Sequence, residues 1–248
     1  MRANDGRAGQ RGKTHAAVGV VIGAMVLAVS GPVWAIDVKL SAEDARKALE
    51  AGRAPMEKAG SPEDVKKILQ QASLVTRVGA DPEKDPCGAS AILRTKRYRL
   101  EAFGRQEAAE SKKQKKDVRM PDEFIQKVVD MPNMEVEVQL CGDDEYFAEK
   151  ADIVFQQKGK NIRPVDLSPA DRGRKNDGTG PAYRSRFTAR FGYESFDPNA
   201  KTTIIVTLQD GQTMQFDADL SQVLSAQVFT TFSSASRNSC QVLPSFTA

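Results

Sequence analysis

Apolar and polar residues alternate with a period of two along several stretches of this chain. Met134, Val136, Val138 and Leu140 interleave with Glu135, Glu137 and Gln139. Phe187, Ala189, Phe191 and Tyr193 interleave with Thr188, Arg190 and Gly192. Successive side chains of a strand point to opposite faces, so each stretch predicts a strand with one buried face. The segment Thr202 to Leu220 carries two such rows, Ile204, Val206 and Leu208, then Met214, Phe216, Ala218 and Leu220, on either side of Asp210-Gly211. A two-residue loop there would turn one apolar row to water. A three-residue loop, Gln209 to Gly211, sets Val206 beside Met214 and Ile204 beside Phe216, with Gly211 left-handed in a bulge. Asp217 and Asp219 then lie on the wet face. Ile205 alone breaks the alternation, which predicts partial cover on that outer face.

Other stretches read less regularly. Ile153-Val154-Phe155 starts a strand, Lys158 to Asn161 reads as a turn, and Ile162 to Leu167 is its return, placed at an edge by Pro164. Ala89 to Phe103 reads as a strand region, because Tyr98, Leu100 and Ala102 alternate with Arg97, Arg99 and Glu101. Residues 105–117 hold almost nothing apolar and read as a solvated loop or frayed helix. Ser41 caps a helix that Gly52 is expected to stop near Ala51. Ser61-Pro62 opens a second helix with an apolar stripe at Val65, Ile68, Leu69 and Ala72. Met120-Pro121-Asp122 opens a short third helix ending at Val129, before Met131-Pro132. Val228, Phe229 and Phe232 suggest one last strand.

Six or seven closely spaced strands after residue 89, without regularly alternating long helices, predict a mainly β fold. The expected form is an antiparallel immunoglobulin-like β-sandwich, with two or three short helices N-terminal to it or packed on it. The likeness is architectural only, since the Cys…Trp…Cys pattern of immunoglobulin domains is absent and the single Trp34 lies near the N-terminus. The chain divides by pattern into residues 1–35, a helical segment 36–80, a sandwich domain 88–232 and a polar, disordered tail 233–248.

Residues 1–35 read as a signal peptide. Arg2, Arg7, Arg11 and Lys13 precede an uncharged run from Ala16 to Val29, and Val33-Trp34-Ala35 offers a cleavage site between Ala35 and Ile36. An uncleaved leader of this length is the alternative, and only that would tether the protein to a membrane. The whole chain has 36 Lys+Arg and 33 Asp+Glu. The leader holds four of the bases and one acid, so the chain from Ile36 has 32 of each and no net charge. Global basicity therefore gives no ground for a nucleic-acid partner.

Export implies an oxidising compartment, where cysteines form disulfides. Cys87-Gly88 and Cys141-Gly142 each flank a strand-like run and predict one bridge, Cys87–Cys141. A Cys141–Cys240 pairing is the alternative that the spacing leaves open. The only histidine, His15, lies in the leader, so the mature chain lacks histidine bases and histidine metal ligands.

No catalytic, cofactor or metal residue is assigned. Gly6 and Gly12-Lys13-Thr14 are separated by five residues where a phosphate loop needs four. The run Lys112 to Lys116 lacks the interleaved aromatics of nucleic-acid surfaces and reads as solvated surface. Asp143-Asp144-Glu145 reads as turn chemistry. The long polar loop 171–181 is the candidate binding loop, with Arg172, Arg174 and Lys175 facing an acidic partner. The expected function is that of an exported, non-enzymatic binding or assembly module, its partner another envelope protein or polymer. A carboxylate-based hydrolase of an envelope polymer is the alternative.

Overall fold

A computed structural model describes residues 36–176 and 180–222. The leader 1–35, the expected strand at Val228 to Phe232, the tail and Cys240 lie outside the described residues. In chain order the elements are α1 (Ala42–Lys58), α2 (Pro62–Val75), β1 (Arg77–Gly79), β2 (Ser90–Arg94), α3 (Lys96–Gln114), α4 (Asp122–Val129) and β3 (Asn133–Gly142). They continue as β4 (Asp152–Gln157), β5 (Lys160–Ile162), β6 (Asp166–Leu167), β7 (Arg174–Lys175), β8 (Tyr183–Gly192), β9 (Lys201–Thr207) and β10 (Thr213–Asp219). Among the described residues the fold is β-rich, with two antiparallel sheets and four α-helices. One sheet runs β1-β2-β3-β8-β6 with β7 also on β8, and the other runs β10-β9-β4-β5.

The β9–β10 hairpin forms in the register that burial demands. Val206 pairs Met214 and Ile204 pairs Phe216. The Leu208 N–H donates to the Gln212 carbonyl at 2.8 Å, and the Gly211 N–H donates to the Leu208 carbonyl at 3.0 Å. Gly211 has φ +84°, the left-handed position of the three-residue loop. The inward rows of the two sheets share one core. Val136, Val138, Phe187 and Phe191 of the first meet Ile153, Phe155, Ile204 and Val206 of the second. Phe155 and Phe191 stack across it with ring centroids 3.8 Å apart. Burying each such ring is worth about 1.5–3 kcal/mol. Ile36 and Val38 join this core, and the Ile36 N–H donates to the Leu220 carbonyl at 3.3 Å.

The return strand after the Lys158-Gly159 turn serves both sheets. β5 pairs with β4 in one, and β6 pairs with β8 in the other. Arg163-Pro164-Val165 makes the crossing, and Pro164, having no N–H for a ladder, suits the place where pairing ends.

Two expectations fail in the helical layer. Ala89 to Phe103 is not one strand: β2 stops at Arg94, and Thr95 Oγ1 accepts the Tyr98 N–H at 3.1 Å to start α3. The buried positions of α3 are Lys96, Leu100, Glu101, Gly104, Arg105, Glu107 and Ala108, which is helical spacing. Four of the seven are charged, so no apolar stripe marks the helix, and the chance alternation at Tyr98 to Ala102 dominates the pattern. Gly52 does not stop α1, which continues to Lys58. It is instead the crossing point with α3. A Cβ at Gly52 would lie 1.9 Å from the Glu101 carbonyl oxygen, and one at Gly104 would lie 1.9 Å from that of Leu49. Leu40, Ala45, Ala48, Leu49, Leu100 and Val128 form a second, smaller core around that crossing. The Lys112 to Lys116 run lies at the end of α3. Lys112 Nζ donates to the Ala59 carbonyl at 2.6 Å, at the C-terminus of α1, where the helix dipole favours a cation.

Candidate functional site

The outer face of the first sheet is charged along its length, and its two ends differ. On β3 the outward row is Glu135, Glu137, Gln139 and Cys141, and the paired row on β8 is Arg190, Thr188, Arg186 and Arg184. At one end arginines and carboxylates match. Glu135 meets Arg94 at 3.1 Å, Arg99 at 2.8 Å and Arg190 at 3.8 Å. Arg94 also pairs with Glu137, and Arg190 reaches Asp166 on β6 at 2.7 Å.

At the other end the β3 residues are neutral, so Arg186 faces Gln139 and Arg184 faces Cys141. The chain then adds cations. β7 pairs with the start of β8, setting Arg174 beside Arg184 and Lys175 beside Tyr183. Arg174, Lys175, Arg184 and Arg186 line a cleft of about 290 Å³ together with Asp171 and Asn176. Among the described residues, four cations against one carboxylate give these walls a formal charge of +3. Among the described residues, no carboxylate lies within ion-pair distance of Arg174, Lys175 or Arg186. Arg77 on β1 sits behind this end and donates to Ser90 Oγ at 2.6 Å. Burial, with repulsion from Arg186 in addition, holds its guanidinium below the ordinary arginine value.

A disulfide lies beside the cleft, linked to it through Asn176 and Arg184. Cys87 and Cys141 form a disulfide with Cα atoms 5.4 Å apart. It ties the turn ending at Gly88 to the end of β3. Arg184 Nη2 donates to the Pro86 carbonyl at 2.9 Å and to Asn176 Oδ1 at 3.2 Å. Asn176 Nδ2 in turn donates to Cys87 Sγ at 3.1 Å. Arg184 is thus held in place by the turn that the disulfide anchors.

Of the three residues expected in the binding loop, the structure brings two together. Arg174 and Lys175 line the cleft. Arg172 turns away, donating to both carboxylate oxygens of Glu145 at 2.9 and 2.7 Å, with its guanidinium 5.4 Å from the Tyr146 ring centroid. That pairing holds the Glu145 carboxyl below its ordinary value. Arg184 and Arg186 were missed. Extending the alternation of Phe187 to Tyr193 back to Tyr183 would have placed both on the wet row. Asp144 Oδ1 accepts the Tyr146 N–H at 2.7 Å, the turn chemistry expected there, and Asp217 accepts from Thr203 Oγ1 across the hairpin at 2.9 Å.

A second hollow along α1 mixes Glu43 and Glu50 with Arg46, Lys47 and Lys58, so its walls carry no dominant sign. Among the described residues no helix is long and apolar enough to cross a membrane. No family model matches this chain, and no curated protein matches it.

Proposed function

We propose that this chain is an exported, non-enzymatic binding module of the cell envelope. In this reading it is a β-sandwich, immunoglobulin-like in the loose sense, whose basic cleft holds an acidic envelope protein or polymer. The observation that carries it is the gathering of Arg174, Lys175, Arg184 and Arg186 around one carboxylate among the described residues, in a chain whose charges balance after residue 35. Clefts walled by one sign of charge focus field and concentrate the opposite charge. Export is supported by the leader pattern of residues 1–35 and by the Cys87–Cys141 bridge, which suits an oxidising compartment. A binding role is favoured over a carboxylate hydrolase because such hydrolysis uses two carboxylates, and among the described residues Asp171 is the only one lining the cleft.

The test is retention of the chain from Ile36 on an immobilised polyanion, with heparin as the probe. Saturable retention that falls with salt is expected, and it should be lost in the R174E/K175E double variant. Retention unchanged by that charge reversal would overturn the reading. N-terminal sequencing of the exported protein checks the compartment, with Ile36 as the expected first residue.

A further inference from the structure

We infer that the cleft recognises a phosphate group, as a phosphomonoester or a pyrophosphate, in preference to a carboxylate. This rests on the binding reading above and names the chemistry of its ligand.

Charge density is the first argument. Walls of formal charge +3 surround about 290 Å³, at the lower limit of small-molecule sites. That space takes one or two oxyanion groups at a time, free or carried on a larger chain that runs past the cleft. A carboxylate brings one negative charge, whereas a phosphomonoester brings about 1.5–2 at neutral pH on three strong acceptor oxygens. A compact multivalent anion therefore matches the walls best.

Donor geometry is the second. Three of the four cations are arginines, whose planar forks match tetrahedral oxyanions bidentately. Arg184 is held from behind through Nη2 by the Pro86 carbonyl and Asn176, so little freedom is left to lose when an anion arrives. Its Nε is buried with no hydrogen-bond acceptor among the described residues. A charged group with an unmet buried donor gains from a nearby anion more than a fully paired one does. Arg174 and Arg184 are cross-strand partners on the adjacent strands β7 and β8, and Arg186 lies two residues along β8 on the same face, so three guanidinium forks line one cleft.

The third argument is the contrast within the sheet. The opposite end places Glu135, Glu137 and Asp166 against its arginines, so this fold has the means to neutralise such a row internally. Across from Arg186 and Arg184 it places Gln139 and Cys141 instead.

The experiment is calorimetric titration of the disulfide-bonded chain with pyrophosphate, and with citrate as the carboxylate of matched charge, at constant ionic strength. Pyrophosphate is expected to bind at least tenfold more tightly than citrate. R186Q is expected to weaken it at least tenfold. R186K, which keeps the charge and loses the fork, should weaken it about as much. Arg186 is exposed, so both variants should fold, and unchanged melting in the absence of anion checks this. Equal affinity for citrate and pyrophosphate would overturn the phosphate inference and leave the binding reading standing. Binding of neither would overturn the phosphate inference, while the heparin retention test decides the binding reading separately. Pyrophosphate affinity unchanged in R186Q would overturn the assignment to this cleft. Two further arms separate the sources of phosphate. Competition by glucose 6-phosphate alone supports a soluble phosphorylated saccharide, and competition by vesicles containing phosphatidic acid alone supports a lipid headgroup.

Discussion

The two ends of the outer face of the first sheet share strands β3 and β8 and are both rich in arginine, yet they behave as different materials. Around Glu135, the residues Arg94, Arg99 and Arg190 are held by carboxylates on β3 and β6. That end is a closed ionic network, its charges spent on one another. Around Gln139 and Cys141, the residues Arg184 and Arg186 meet neutral neighbours on β3, and β7 brings Arg174 and Lys175 beside them. That end is an open basic cleft. The difference lies in the β3 residues, two glutamates against a glutamine and a disulfide cysteine. Arginine on a strand thus says little by itself: the residue across the ladder decides whether it is structure or a site.

The largest expected effect comes from the disulfide, which belongs to the open end only. A C87S/C141S variant should lose about 4 kcal/mol of stability, the loop-closure value for a sequence separation of 54. Chemical denaturation under oxidising conditions measures it. Pyrophosphate affinity should fall as well, because the Pro86 carbonyl that holds Arg184 is no longer anchored.

The closed end supplies the second test. Glu135 is 14% exposed in its side chain and serves three arginines. E135Q should destabilise by about 2 kcal/mol, the order for stripping a partly buried charge of its partner. It should also raise retention on heparin by removing the carboxylate that Arg99 pairs with, Arg94 and Arg190 keeping Glu137 and Asp166, which would convert the closed end toward the open one. Unchanged retention would break the comparison.

The reverse conversion is Q139E, which places a carboxylate across from Arg186. It should lower pyrophosphate affinity about tenfold, equivalent to about 1.4 kcal/mol, while changing the unliganded melting temperature little. The smallest effect is expected at Arg172. R172A should leave pyrophosphate affinity within twofold, because that side chain belongs to Glu145. The pair does give a pH signature. Arg172 depresses the Glu145 pKa in the folded state, so the pair stabilises above the unfolded value near 4.5, and the contribution is lost as pH falls through the lower folded value. Melting profiles of wild type and E145Q should converge in that acid range.

Legibility followed the same physics. The hairpin of β9 and β10 was readable down to its loop length, because parity of the apolar positions and the freedom of Gly211 are both local facts. The Cys87–Cys141 pair was readable from flanking strands, with one alternative open. α3 was not readable, since its buried face holds Lys96, Glu101, Arg105 and Glu107. Two of these find their partners only in the tertiary fold, Lys96 at the Val129 carbonyl at 2.6 Å and Glu107 at Arg53 and the Met120 N–H. Gly52 read as a helix stop because its true role, backbone contact with Glu101, involves a helix about fifty residues away.

The sequence by itself determined the strands β3, β4, β8, β9 and β10, the hairpin register, the helix starts at Ser41 and Ser61, and two of the four cations of the cleft, because periodicity, caps and loop composition act over a few residues. Only the tertiary structure decided that Arg184 and Arg186 belong with Arg174 and Lys175 and that Arg172 does not. That outcome depends on which β3 residue faces which β8 residue, and so on a strand pairing between segments about fifty residues apart that burial of the shared core enforces.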